Sequence, residues 1–266
     1  KLTYNCSNPI FRNKGGLCIN LEIGNMLFKN NLSFINCHLP FDSGSLKKYT
    51  KKKDYKHRKS AVNKQNECYN NILQKVQNKY DSDITIFCGD FNYRIKMDPR
   101  ENSETIFKNL TVDSNIQKLE KLYKNRDELY QEMKDGHIEQ LLEGVGGKGP
   151  TFFPTCKMYK HKYTKYYDCK HTKLTYKKNI SDRSKCQCID GDFDDCKLSY
   201  EDKECYKLGK HKQRAPSWCD RILWKYNSDR ASSGVQPNIK MDCTEYSSYD
   251  FSQIMAMSDH AAVYGF

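Results

Sequence analysis

The chain has 266 residues, 37% hydrophobic and 12% aromatic, which suffices for one large or two small domains, although a mean hydropathy of −0.89 implies that part of it builds no core. The net charge of +12 is concentrated: residues 47–59, "KKYTKKKDYKHRK", hold eight Lys/Arg and one Asp, residues 157–213 hold fifteen Lys/Arg and nine Asp/Glu, and the remainder is nearly neutral. No stretch approaches the roughly 20 apolar residues of a membrane-spanning helix, and the opening "KLTYNCSNPIFRNKGG" has no apolar signal-peptide core.

In chain order, "GLCINLEI" (16–23) and "LSFINCHL" (32–39) alternate as strands, with "GNMLFKNN" between them suited to a hairpin turn. The basic segment 47–59 reads as a loop insertion, a solvated lysine face or a patch for polyanions such as phosphoinositide membranes, nucleic acid or acidic protein. Residues 58–80 are predicted to be an amphipathic helix, because Val62, Tyr69, Ile72, Leu73, Val76 and Tyr80 recur mostly three and four apart. "DITIFCGD" (83–90) follows as a strand, and residues 100–143 read as helical in pieces. "GVGGKGP" (144–150) is predicted to be a flexible connector and "TFFP" (151–154) a short strand. Residues 157–210 have little periodicity and read as a basic inserted loop, followed by strands at "RILWK" (221–225) and "AAVYGF" (261–266). Strands alternating with helices predict a mixed α/β domain. Of thirteen cysteines, Cys18, Cys37 and Cys88 lie in apolar strand-like runs, where free Cys acts as a small hydrophobe, so a reducing, intracellular compartment is expected.

Polar residues gather at the strand ends. His38 closes one strand, Asp90 and Asn92 follow another, Asp220 precedes "RILWK", and Asp259 with His260 precedes "AAVYGF". Asp, His and Asn without a Ser or Cys nucleophile suit metal-assisted attack by water, and a phosphoryl group fits, since its transition state needs cations and donors around the equatorial oxygens.

"NKGG" (13–16), "INCHL" (35–39), "GDFNYR" (89–94), "RAPSWCDRIL" (214–223) and "SDH" (258–260) occur in the order of the inositol polyphosphate 5-phosphatases, which the chain resembles. That family belongs to the superfamily of endonucleases, exonucleases and phosphatases with a DNase I-like, four-layered α/β sandwich. The resemblance implies Mg2+-dependent hydrolysis of the 5-phosphate of a phosphoinositide lipid or a soluble inositol polyphosphate. Asp90 would orient and deprotonate the water, Asn92 would donate to the phosphoryl group, and His260, held by Asp220, would contact the scissile phosphate with His38. Asp259 would lie beside the metal or its water shell. Lys157, Lys212 and Arg214 would read the neighbouring 4-phosphate, and Asn13 and Lys14 would sit near the substrate. The implied setting is a cytoplasmic monomer, peripheral at anionic membranes, without nucleic acid.

The chain also departs from the family. Members carry, ahead of "NKGG", a strand with a "WNxN"-like asparagine and a Mg2+-binding glutamate, and neither has a match here. Residues 1–266 are therefore expected to be the C-terminal two-thirds or so of a catalytic domain. The alternatives are a catalytically incomplete phosphoinositide-binding fragment, or a nuclease or phosphodiesterase of the same superfamily. Cys156 in "PTCKM" replaces a tyrosine of the family, removing a hydroxyl donor to the 4-phosphate. The segment 157–210 carries Cys169, Cys186, Cys188, Cys196 and Cys205, but Cys186 and Cys188 lack the C-x2-C spacing of a structural zinc site, so a disordered loop is expected.

Overall fold

Strands β1 (Leu2–Asn5), β2 (Gly15–Gly24) and β3 (Lys29–His38) run as an antiparallel meander, and alternation along β3 turns Ile35 and Cys37 inward. The structure, a computed structural model, describes residues 2–6, 14–24, 29–41, 52–96, 116–156, 217–226, 241–248 and 260–266. Helix α1 (Lys52–Lys79) carries the chain back, so β4 (Ile84–Asp90) pairs with β3 in parallel, as a helical crossover requires. After α2 (Ile116–Arg126) and α3 (Glu128–Lys134), β5 (Leu142–Glu143) and β6 (Asp220–Tyr226) complete a six-stranded mixed sheet of order β1-β2-β3-β4-β6-β5. Strands β7 (Tyr246–Ser248) and β8 (Val263–Gly265) form a separate two-stranded sheet.

One face of the large sheet is the core. Tyr69, Ile72, Leu73 and Val76 of α1 pack with Ile35, Cys37, Phe87 and Leu223 of the strands. Tyr69, Phe87 and Phe91 stack as tilted rings with centroids 4.9–6.1 Å apart. A second cluster joins Ile95, Leu119, Tyr123, Phe152, Trp218 and Tyr246.

The α/β reading therefore holds, with local corrections. Helix α1 begins at Lys52, so residues 52–59 of the expected basic loop are helical. Residues 144–150 are not a loose connector: they include a 3-10 turn at Val145–Gly147, and Gly149 lies so close under the Tyr123 ring that a Cβ would come within 2.2 Å of it. Residues 151–154 form no strand, pairing beginning only with the isolated bridges of Cys156 to Ser217 and His260. Cys18, Cys37 and Cys88 are free thiols, and Cys6 and Cys68 form a disulfide. The insertion 157–210 and residues 100–115 lie outside the described residues. No described helix is long and apolar enough to cross a membrane.

Candidate active site

A single register row crosses four strands: Gly15 is opposite His38, His38 opposite Asp90, and Asp90 opposite Asp220. The parallel pairing of β3 and β4 brings His38 and Asp90 to the same sheet edge, and antiparallel β6 begins where β4 ends. Gly89 makes the close approach possible. Its φ of 129° is left-handed territory, and a Cβ there would sit 2.0 Å from the Cys37 carbonyl oxygen.

Beyond β4 the chain turns through Asn92, which adopts φ 58°. Asparagine tolerates this conformation better than most residues, and here the turn is locked by its own side chain. The Asn92 backbone N–H donates to Asp90 Oδ1 (3.0 Å), and Asn92 Nδ2 donates to Asp90 Oδ2 (3.1 Å) and the Leu39 carbonyl (3.0 Å). Arg94 Nη2 donates to Asn92 Oδ1 (3.2 Å), and Gln65 Nε2 donates to the Asn92 carbonyl (2.8 Å). Both amide hydrogens of Asn92 are thus engaged inside the protein, one of them on Asp90.

His38 Nε2 lies 3.3 Å from Asp90 Oδ2 and against Lys14 Nζ. Burial works to raise Asp90, but the hydrogen bond with His38 and the positive charges of His260 and Arg94 outweigh it, so its carboxyl lies below the usual range. Burial lowers Lys14.

His260 Nδ1 bonds both oxygens of Asp220, at 3.1 and 2.9 Å, and Thr155 Oγ1 donates to Asp220 Oδ2 (2.8 Å). Burial alone would lower the imidazole, yet the Asp220 hydrogen bond and the Cys156 sulfur lift His260 to about 11. Burial pushes Asp220 up against the opposing pull of His260. Cys156, fully buried, receives a hydrogen bond from Arg94 Nη1 (3.2 Å), and Cys219 Sγ donates to the Tyr93 carbonyl (3.5 Å). The nearby Cys219, Arg94 and His260 hold the Cys156 thiol well below its usual value, while burial pushes Cys219 well above.

The structure therefore brings together His38, Asp90, Asn92, Asp220, His260 and Lys14. Asn13, Lys157, Lys212, Arg214 and Asp259 lie outside the described residues. Three supporting residues went unassigned in the sequence, Arg94, Thr155 and Cys219, though all stand inside quoted motifs, and Cys156 was read only as the loss of a tyrosine hydroxyl.

A mixed sheet whose strand ends gather two carboxylates, two imidazoles and an ammonium defines an α/β protein with a strand-end polar site. More particularly, the chain belongs to Endonuclease/Exonuclease/phosphatase family 2, whose model matches residues 5–177 and 193–266. No curated protein matches it. Among solved structures it is similar to the Cimex nitrophorin ferrous NO complex, at 17% identity and TM-score 0.50, over 96% of this chain and 59% of that one. It is also similar to the inositol polyphosphate 5-phosphatase domain of SPsynaptojanin in complex with inositol (1,4)-bisphosphate and calcium ion, at 20% identity and TM-score 0.47, over 95% of this chain and 50% of that one. The chain thus spans between half and three-fifths of the length of these structures, and identities this low speak to fold alone.

Proposed function

We propose that the protein hydrolyses the 5-phosphate of phosphoinositides or soluble inositol polyphosphates by in-line attack of a water held by Asp90, with a divalent cation, Mg2+ in our reading. One observation carries this: an ionised carboxylate, Asp90, stands one strand from His260, an imidazole fastened to Asp220 at 2.9 Å and raised to about 11. An anion to orient water beside a fixed cation to meet phosphoryl charge is what this transition state demands. Family membership supports the phosphatase class, and the resemblance of "RAPSWCDRIL" (214–223) supports the inositol phosphate branch.

In this mechanism Asp90 accepts a hydrogen bond from the attacking water. Its depressed pKa makes it a strong orienter and a weak proton sink. Asn92 and, through it, Arg94 fix the carboxylate, while Lys14 and His38 supply donors at its outer edge. His260 supplies positive charge that Asp220 and Thr155 hold in place.

Asp90, Asp220 and His260 bring ligand atoms within 4.8 Å of one another. Hard cations prefer oxygen, so of these three Asp90 and Asp220 are the described donors that fit Mg2+, an ion that keeps several waters. A bound cation would supply Lewis-acid charge neutralisation. Asp259, outside the described residues, completes our reading of the metal side, and Asn13, Lys157, Lys212 and Arg214 that of substrate recognition. The basic segments 47–59 and 157–210 would hold a cytoplasmic monomer against an anionic bilayer.

The test is incubation with short-chain phosphatidylinositol 4,5-bisphosphate, with Mg2+ and then with excess chelator, identifying the product by position. Chelator-sensitive formation of the 4-phosphate is expected. Nicking of DNA with no inositol phosphate turnover would place the protein in the nuclease branch instead. Binding without turnover would mark an incomplete catalytic unit.

A further inference from the structure

We propose that the Cys6–Cys68 disulfide is a redox clip that sets Lys14 in the site: oxidised, it fastens the end of β1 to helix α1 and seats Lys14 against His38, and reduced, it lets that strand end go. The two Cα atoms stand 5.7 Å apart, within the span that a disulfide bridges without moving the backbone. The packing on either side places them there. Leu2, Tyr4 and Cys6 alternate onto the face of β1 that packs against the core. On α1, Cys68, Ile72 and Lys75 stand four and three residues apart, one stripe of the helix. That stripe runs along β1 and its neighbour β2. Lys75 Nζ lies 4.9 Å from the centre of the Tyr4 ring, a Cβ on Gly16, opposite Tyr4, would meet Ile72 Cδ1 at 2.9 Å, and Cys68 reaches Cys6.

Cys6 is also the residue that fixes Lys14. The β1–β2 register runs to Asn5 opposite Gly15, and one step on, the Cys6 N–H donates to the Lys14 carbonyl (2.8 Å). The Lys14 ammonium lies against His38 Nε2, itself 3.3 Å from Asp90 Oδ2. Helix, strand end, ammonium, imidazole and carboxylate thus form one line of contacts, with the disulfide as its covalent link. Strand β1 has four residues and stands at the sheet edge, so the clip holds an element that opens easily without it.

The reductant class is a dithiol. Cys6 is half-buried and Cys68 only 3% exposed, so attack falls on Cys6. A thiolate of the dithiol bonds to the Cys6 sulfur, the S–S bond breaks, and Cys68 leaves as a thiolate that takes up a proton. The reductant's second thiol then attacks its own sulfur in the mixed disulfide, and Cys6 leaves to take up the second proton. The dithiol gives up two electrons and two protons, and the two cysteines gain them. A disulfide oxidant reverses the exchange. The effect on the site rests on the function proposed above, whereas the clip itself does not.

Two measurements on the 266-residue protein separate them. After equilibration with glutathione disulfide and alkylation, a Cys6–Cys68 linked peptide should exceed every other cysteine pair, and dithiothreitol should remove it. Acetylation of Lys14 by a small amine reagent should quicken about fivefold or more on reduction, with exposed Lys29 as an unchanging reference and circular dichroism showing the fold retained. Cys68→Ser should acetylate at the reduced rate with or without dithiothreitol. Phosphate release should fall on reduction and recover on reoxidation. Release absent in both states while Lys14 still responds would sink the proposed function and uphold the clip. No linked peptide, equal Lys14 rates in both states, or loss of the fold on reduction would overturn the clip. Release indifferent to redox state while Lys14 responds would overturn its hold on the site.

Discussion

Asp220 and Arg221 are neighbours in β6, and alternation sends them to opposite faces of the sheet. Arg221 enters a closed ionic cluster. Its guanidinium donates to Asp127 at 3.0 and 3.1 Å and to Glu143 at 2.5 Å, and Tyr123 and Tyr246 hydroxyls donate to Glu143 at 2.9 Å. The Arg221, Asp127 and Glu143 side chains are 0–1% exposed. Asp220 faces the row that includes His38, whose side chain is 52% exposed, and Asp90, at 19%. The lesson is that burial and saturation separate a closed charge cluster from one that faces solvent. Both contain two carboxylates and cations, but only the second meets solvent.

The pH dependence should break the comparison most sharply, because the clusters titrate in different windows. His260 is raised from 6.5 to about 11 against burial by its bonds to Asp220 and Cys156. The folded state thus holds this proton more tightly, and its stabilisation is full below pH 6.5 and lost as pH rises through about 11. Asp127, raised by burial and by Glu143 against the pull of Arg221, moves from 3.8 to about 6, so its contribution is full below 3.8 and lost as pH rises through about 6. Urea unfolding across pH should show both declines. His260→Gln should remove the alkaline one alone, and Asp127→Asn the acid one alone; loss of both in either variant would mean the clusters are one unit.

Next in size is Arg221→Leu, which strands two buried carboxylates and should cost about 3–5 kcal/mol in urea unfolding. Asp220→Asn, one residue away, should cost clearly less, because Asp220 and His260 can both reach solvent. Equal costs would show that the site is as structural as the ionic core. Gly89→Ala, with its Cβ forced onto the Cys37 carbonyl, should cost about 1–3 kcal/mol and displace Asp90. Least is expected at the sheet edge: Lys29→Ala removes a surface pair with Glu22 and should change stability by about 0.5 kcal/mol or less.

The solvent-facing cluster was the more legible of the two. His38, Asp90, Asn92, Asp220 and His260 announce themselves because a polar residue ending an apolar strand is costly without a purpose. The ionic core was hidden, since Asp127 stands between two helices and Glu143 in a two-residue strand, places the sequence does not mark, and only the fold brings them to Arg221. Short elements were missed for the same reason. Strand β1 and two-residue β5 carry too few alternations to signal, and their pairing is decided by β2 and β6. Residue type reveals the hydrogen-bonding capacity of Asn92, and the φ of 58° that brings its amide to Asp90 and Leu39 exists only once the turn is made.

The most direct measurement is phosphate release by Asp90→Asn beside the unaltered protein, with unfolding free energy determined on both samples. The account predicts that release falls by about 10^2–10^4-fold, well beyond any loss of stability, since the amide keeps the size of the carboxylate but loses its charge and one accepting oxygen. Unchanged release, or a loss that tracks unfolding, would contradict the assignment of Asp90 as the group that holds the attacking water.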